Sequence, residues 1–498
     1  MRFTATDTYD YHRPSKCGLR VYLRHHDVEE APPGPFVDVL RRLGERHEKG
    51  HLATLSGVVD LSGLPQEERE RRTLEEIRAG APALYQPRFR AAIELDGEDC
   101  ELVGEPDFLL RHDGGYLIRD SKLSRQITRE KHPEIVLQLQ LYGWLYERAA
   151  GEPPRGLEVH AGTGDIVPVP YDREAGPEHL RLLLHLRSLD AEPYEPVGWS
   201  KCAACGFHDR CWDRAVASDD VSLLPAVSQK FAHKLRERGV TRIADLAPAL
   251  ENPAFRQLFY KVFKKKEPKL LDVAVKIRRD AEVRATGRPA WIAPPALPDV
   301  RNFAVLDLEG MPPILDELEK IYLWGMKVFG DRPSGYLYAE AGFGAGGDRQ
   351  GWQDFLRLAS RLLDEHPDLR FVHFGTYERT KLRTYLKRHK DADGTAARIL
   401  NRLVDLHSIL TASVVLPVPS YGLKVVEKHV GFKRKLDEYR GDVAMARYIE
   451  ATETSDPAAR AGILDESRAY NEEDLDATWA VLSWLRAGSP SPSGRGLG

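Results

Sequence analysis

Residues 104–122 read GEPDFLLRHDGGYLIRDSK. Two apolar runs, FLLRH and YLIRD, flank the tight-turn pair Asp113-Gly114, which predicts a β-hairpin. With the turn there, residues whose numbers sum to 227 face each other and Asp107 stands opposite Asp120. A shift of one residue pairs Asp107 with Lys122 instead. In either register the period-two alternation puts Asp107, Asp120 and Lys122 on one face. Two carboxylates and a lysine so placed can hold a divalent cation such as Mg²⁺ or Mn²⁺ and position a water for attack on a phosphate.

Further signals lie on both sides of this hairpin. Downstream, Gln138 and Tyr142 are one helical turn apart and share a face. Upstream, His47 and Glu48 in GERHEKGH sit on a predicted helix and offer a further ligand, with His51 a rival for the same role. Cys17 precedes the hairpin, and Cys202, Cys205 and Cys211 follow it as C-x2-C-x5-C. Thiolates from both ends binding one metal centre would close a loop of about 185 residues and staple the fold. The spacing alone leaves zinc, with His208 as an added ligand, and an iron–sulfur cluster both open. Cys100 reads as a core or edge thiol.

The chain has 498 residues, enough for two to four domains. Its 72 Lys and Arg against 76 Asp and Glu give a net charge of −4, so nucleic-acid contact must come from local patches. MRFTATDTYDYHRPSK carries no apolar run, and no stretch approaches about 18 apolar residues, so a cytoplasmic protein without a membrane span is expected. Five cysteines in such a chain argue for reduced, metal-binding thiols. The expected organisation is a mixed α/β domain over 1–215, a helical and basic segment over 216–290, a second α/β domain over 291–488 and a disordered tail, AGSPSPSGRGLG, whose residues 489–498 close the chain. Within the middle segment, VSQKFAHKLRERGVTRIADLA predicts two helices with Gly239 as the stop of the first. Lys261 to Arg279 form a basic run suited to tracking phosphates or to a solvated helix face. RPAWIAPPALPDV reads as a proline-rich linker. The glycine-rich AGFGAGGDRQG lacks G-K-[ST] and reads as a mobile surface loop. With no Walker motif present, strand separation would require a helicase on another chain.

A second set of acids begins in RNFAVLDLEGMPP, an apolar strand ending in Asp307-x-Glu309, whose side chains point the same way as bridging cations requires. Far downstream, AYNEEDLDATWAVLSWL puts Tyr470 and Asp474 on one face of an amphipathic helix. Between them FVHFGTYERTKL offers Glu378 just after a buried strand, with Asp405 in LVDLHSIL as the substitute.

The first set of residues resembles the PD-(D/E)XK nucleases of the RecB-like, Fe–S-containing branch that includes CRISPR-associated and helicase-linked exonucleases. The resemblance implies GERHE with His47 as the first motif, Asp107 as the second, Asp120-Ser-Lys122 as the third, Gln138-x3-Tyr142 as the trailing motif, and a [4Fe–4S] cluster on Cys17, Cys202, Cys205 and Cys211. Asp120 stands where these families more often carry glutamate. The second set resembles the DEDDy exonucleases of the RNase H-like fold. This implies metal-holding Asp307, Glu309 and Asp474, Glu378 as the middle acid and Tyr470 orienting the attacking water. The middle motif departs from the usual aspartate. Together the two halves, joined by a helix-hairpin-helix-like link, resemble a RecB-like nuclease family over nearly the whole chain. The expected fold class is α/β, a restriction-endonuclease-like domain plus an RNase H-like domain. The implied activity is divalent-metal-dependent cleavage of nucleic acid, DNA before RNA, in repair, processing or defence. The rivals are an RNA exonuclease using the C-terminal domain alone and a binding accessory protein with decayed sites.

Overall fold

The computed structural model describes residues 1–252, 267–312, 319–436 and 441–488. The tail from 489 and the start of the basic run, 261–266, lie outside them. The described residues divide into two compact units, one of Met1–Glu195 with Ser200–Arg210, the other of Pro196–Trp199 and the described residues from Cys211 on.

In the first unit the strands are β1 (Arg2–Thr4), β2 (Val58–Asp60), β3 (Ala83–Tyr85), β4 (Phe89–Leu95), β5 (Glu98–Gly104), β6 (Phe108–His112), β7 (Gly115–Lys122), β8 (Gly156–Ala161) and β9 (Ile166–Val169). The helices are α1 (Thr8–His12), α2 (Gly18–His25), α3 (Pro35–Leu52), α4 (Gln66–Ala79), α5 (Pro133–Ala150) and α6 (Ala175–Arg187). Six strands form one sheet in the order β2-β3-β6-β7-β8-β9, and β1-β5-β4 form a second. The β6–β7 hairpin takes the first of the two expected registers, with Phe108 opposite Arg119 and His112 opposite Gly115. Asp113 (φ 45°) and Gly114 (φ 78°) both adopt positive φ, the type I′ geometry that matches strand twist. Strand β7 lies inside the sheet, pairing antiparallel with β6 and parallel with β8. Its Ile118, with Leu109 of β6 and Leu139 and Leu141 of α5, belongs to one continuous core that also takes in Cys100, a core thiol as expected.

The second unit begins with helices α7 (Gln229–Arg236), α8 (Ile243–Glu251) and α9 (Glu267–Thr286) around Phe231, Leu235, Leu246 and Ile277. Gly239 at φ 78° separates α7 from α8, as the sequence predicts. Part of the expected linker is strand β10 (Ala290–Trp291), antiparallel to β16 (Val414–Val415). Trp291 stacks on Trp484 at 5.5 Å, and burying that ring is what draws the segment into the fold.

The main sheet of this unit has strands β11 (Asn302–Met311), β12 (Lys320–Gly330), β13 (Leu337–Glu340), β14 (Arg370–His373) and β15 (Leu403–Asp405) in the order β13-β12-β11-β14-β15. β12 is antiparallel to β11 and β13, whereas β14 is parallel to β11 and β15. Alternation along β11 sends Ala304, Leu306 and Leu308 into a core under helix α10 (Gly344–Glu365), and Phe303 and Val305 into another with Leu475, Leu482 and Leu485 of helix α15 (Pro457–Gly488). Asp307 and Glu309 continue the second stripe. Between α10 and α15 lie α11 (Tyr377–His389), α12 (Leu406–Ser413), α13 (Leu423–His429) and α14 (Gly441–Glu453).

The expected glycine-rich mobile loop is instead the start of α10. Its glycines serve close approach: a Cβ on Gly347 would overlap the Gly342 backbone, and one on Gly351 would sit 2.8 Å from Ala341 Cα. The buried Asp348 then bonds Tyr385, Arg388 and His389.

Gly104, at the end of β5, plays a similar part under α5. A Cβ there would meet Leu145 Cδ1 at 2.6 Å and the Tyr142 ring at 2.9 Å. Overpacking of this kind costs about 1–3 kcal/mol. Gly104→Ala should therefore lower the unfolding free energy of the first unit by an amount in that range, read as a lower urea midpoint at unchanged slope, and an unchanged midpoint would mean the helix can shift away freely.

Candidate active sites

The hairpin delivers Asp107, immediately before β6, and Asp120 and Lys122, at the end of β7, to one place. Asp107 Oδ2 accepts from the Ser121 amide at 2.7 Å, and Lys122 Nζ lies 2.6 Å from Asp120 Oδ2. That ion pair meets the distance of a hydrogen bond without its alignment, for Asp120 Oδ2 is buried without a hydrogen-bond donor. Burial first, then the Asp120 charge, holds the Asp107 carboxyl well above the usual carboxylate range. Burial works against the Lys122 ammonium, but Asp120, Tyr9 and Asp107 outweigh it and raise its pKa. Gln138 Nε2 donates to Tyr142 Oη at 2.9 Å, and both side chains are buried. The charges of Asp120, Lys122 and Asp107 all act on Tyr142.

His47 takes a different place from the one expected. Its ring stacks on His160 at 4.1 Å, His51 stacks on the same ring at 4.1 Å, and His47 Nε2 lies 3.3 Å from the His160 carbonyl. The neighbouring Glu48 is the residue turned toward the acids. Gln86 Nε2 bridges Glu48 Oε1 at 2.6 Å and Asp107 Oδ1 at 3.3 Å, and the Glu48 charge raises the Asp107 pKa. The two residues differ by 100° around α3, so one helix cannot point both into the same site. Tyr9, on α1, is a neighbour that the sequence did not reveal; it lies in the field of Lys122 and Asp120.

In the second unit, one ligand atom each from Asp307, Glu309 and Asp474 lies within 4.8 Å of the others. Among the described residues this is the one such group of three or more His, Cys, Asp or Glu. Burial is the largest cause of the rise in all three carboxyl pKa values. Asp474 is the next for Asp307, which stands well above the usual range, and for Glu309, which is pushed up to about 8. Arg434 and Lys424 oppose the rise at Asp474. Arg434 is almost wholly buried and ion-paired with Asp474, while its Nε and Nη2 each lie 2.6 Å from Glu427. Asn471 Nδ2 donates to Asp307 Oδ2 at 2.7 Å. Tyr470 is buried, with Lys424 Nζ 4.4 Å above its ring, and burial followed by Asp474 and Glu309 raises its hydroxyl pKa.

The two candidates for the middle acid stand in different surroundings. Glu378 is buried at the start of α11, its charge acts on both Asp307 and Glu309, and its Oε2 lies 3.3 Å from His373 Nδ1. Asp405 instead caps α12, accepting from the Ser408 amide at 3.2 Å and the Ser408 hydroxyl at 2.6 Å. Arg434, Lys424 and Asn471 were missed. Arg434 and Lys424 fall in YGLKVVEKHVGFKRK, where a lysine-rich run gives no sign of which cation turns inward.

Cys17 caps α2, its Sγ accepting from the Arg20 amide at 3.4 Å. Burial, the Glu195 carboxylate and the thiols of Cys202 and Cys205 push its own thiol up to about 12, so the first unit brings those three cysteines near one another.

Residues 21–212 match the family model of the PD-(D/E)XK nuclease superfamily, and residues 305–486 match that of the RNase_H superfamily. The chain thus carries two nuclease-fold domains, and the pair supports a metal-dependent nuclease. No curated protein matches the chain. A solved structure titled "Crystal structure of SSO0001" is similar at 16% identity over 35% of this chain and 95% of its own, with a TM-score of 0.20, and supports no argument about fold. No helix among the described residues is long and apolar enough to cross a membrane.

The acid cluster makes stability depend on pH. Glu309 keeps its proton to about pH 8 in the folded, cation-free protein against 4.5 ordinarily. Between those values the folded state binds more protons than the unfolded one, so stability falls as pH rises. In EDTA the melting temperature should decline from about pH 5 to about pH 8, more steeply for the natural protein than for Glu309→Gln. Scanning calorimetry of both proteins checks this; parallel curves would mean the cluster bears no such strain.

Proposed function

We propose that this chain is a divalent-metal-dependent nuclease with two active sites, acting as an exonuclease on DNA that is single-stranded or has free ends. The observation that carries the reading is the convergence of Asp307, Glu309 and Asp474, three carboxylates whose burial and mutual repulsion leave them short of positive charge. An all-oxygen donor set of this charge suits Mg²⁺ or Mn²⁺. Such a cation, when bound, neutralises phosphate charge and acidifies a water. The residues themselves do the rest. Asp307, Glu309 and Asp474 hold the cation, with Glu378 as the middle acid of a DEDDy set. Tyr470, whose raised pKa keeps its hydroxyl protonated, orients the attacking water.

In the first domain Asp107 and Asp120 are the proposed metal-holding acids, and Glu48 lies on their side. Lys122 presents a fixed positive charge to the phosphate, and Tyr142, held by Gln138 on α5, lies in the field of Lys122 and Asp120. His47 remains a candidate ligand only if its ring leaves the His160 stack. We assign the first domain, residues 1–215, to the RecB-like Fe–S branch, with a cluster on Cys17, Cys202, Cys205 and Cys211. The approach of Cys202 and Cys205 to Cys17 supports this. Residues 216–290 form the basic link and 291–488 the exonuclease domain. A helicase on another chain would supply single strands.

Assay of anaerobically purified protein on labelled DNA and RNA with Mg²⁺ or Mn²⁺ tests the reading. Asp120→Ala and Asp307→Ala should each remove part of the DNA cleavage, and the double variant should be inactive; full activity in the double variant would refute both sites. Tyr470→Phe, made in the Asp120→Ala protein, should lower kcat by roughly 10²-fold with little change in KM, because the lost hydroxyl acts mainly in the transition state. An unaltered kcat would reduce Tyr470 to a packing residue. The protein should be brown, and Cys202→Ala should bleach it; colourless protein holding one zinc would overturn the cluster assignment.

A further inference from the structure

Asn471 is wholly buried, yet both ends of its amide are engaged. Its Nδ2 donates to Asp307 Oδ2 at 2.7 Å, and the amide also lies close enough to Glu309 to oppose the rise of that carboxyl's pKa. Its Oδ1 accepts from the Tyr336 hydroxyl at 2.9 Å. That orientation is the one a bound cation requires, because carboxylates ionised by the cation only accept and the amide NH₂ must then face them. The phenol, donating from the opposite side, fixes the amide in that sense.

Room for this amide comes from a missing side chain. Gly325 on β12 is the ladder partner of Asp307, so a side chain there would stand on the same face of the sheet. A Cβ on Gly325 would overlap Asn471 Oδ1 and come within 2.8 Å of its Cγ and 3.2 Å of the Tyr336 ring. Glycine at 325 is thus a condition for the amide to reach Asp307 and Glu309 at all. Conformational need does not explain it, since Gly325 is not among the positive-φ glycines.

We infer that Asn471 is a positioning residue that holds Asp307 and Glu309 in place for a divalent cation, and that Gly325 and Tyr336 are there to seat Asn471. The inference rests on the reading of these acids as a cation site. A neutral amide suits this task better than a lysine or arginine, because it fixes two carboxylates without neutralising the charge a cation needs. Outer partners of metal-holding carboxylates typically change cation affinity by 10–100-fold when lost.

The test is Mn²⁺ affinity of the full chain, measured by calorimetry in an Asp107→Asn, Asp120→Asn background so that the second unit dominates the signal. Asn471→Ala and Gly325→Ala should each weaken Mn²⁺ binding by about 10–100-fold. Gly325→Ala should add almost nothing once Asn471 is already alanine, since it acts through the amide. Unchanged affinity in Asn471→Ala, or full additivity of the two substitutions, would overturn the inference while leaving the cation site standing. Absence of Mn²⁺ binding in the unsubstituted background would instead remove the cation site, and this inference with it. Should Asn471→Ala fail to fold, Tyr336→Phe removes a single hydroxyl and must still weaken Mn²⁺ by a few-fold; equal affinity there would also refute it.

Discussion

Mutual repulsion among Asp307, Glu309 and Asp474 is the constraint around which the second unit is built. Strand β11 brings two of these carboxylates to one face at positions i and i+2, and α15 brings the third. Taking them from water raises the cost of every negative charge, so without a cation all three carboxyl pKa values are raised, that of Asp307 well above the usual range and that of Glu309 to about 8. The surrounding apolar stripe, Phe303 and Val305 on the strand and Leu475 and Leu482 on the helix, keeps the two elements pressed together despite that repulsion. Arg434, itself held by Glu427, offsets the charge at Asp474, while Asn471 ties down Asp307 without neutralising it.

The first unit meets the same problem differently. Its two acids come from facing positions of a single hairpin, and the cation that offsets one of them, Lys122, is two residues from Asp120 on the same strand. The positive charge is built in, so the first site is held together before any metal arrives. The second site keeps three acids for its cation and confines its own arginine to one edge. Both sites keep a surplus of carboxylates: Lys122 offsets one acid of the first, where Asp107 still stands well above its usual range, and Arg434 and Lys424 offset part of the second at Asp474.

Much of this was legible in the sequence because the signals were local. Asp113-Gly114 fixes a type I′ turn, the turn fixes the register, and the register places Asp107 opposite Asp120. The spacing of Gln138 and Tyr142, of Asp307 and Glu309, and of Tyr470 and Asp474 each settles which side chains share a face. What stayed hidden depends on contacts across long separations. Glu48 rather than His47 turns toward Asp107 because of how α3 is rotated against the sheet, which its apolar pattern defines only to within a residue. The glycines of AGFGAGGDRQG looked like a loop because their use, close backbone approach at Gly342 and Ala341, is visible only once the helix is docked. Gly325 is the same case: nothing in KIYLWGMKVFG marks its glycine as the seat of an asparagine 146 residues away.

A second site that holds its protons until a cation replaces them must release them as the cation binds. The direct measurement is proton release on Mg²⁺ binding, obtained by calorimetry of the full chain at pH 7 in buffers of different ionisation enthalpy. The observed heat should change with buffer in proportion to protons released, and this dependence should be reduced in Asp307→Asn. Heats of Mg²⁺ binding that do not vary with buffer would contradict it, because they would mean the three carboxylates were already ionised and balanced before the cation arrived.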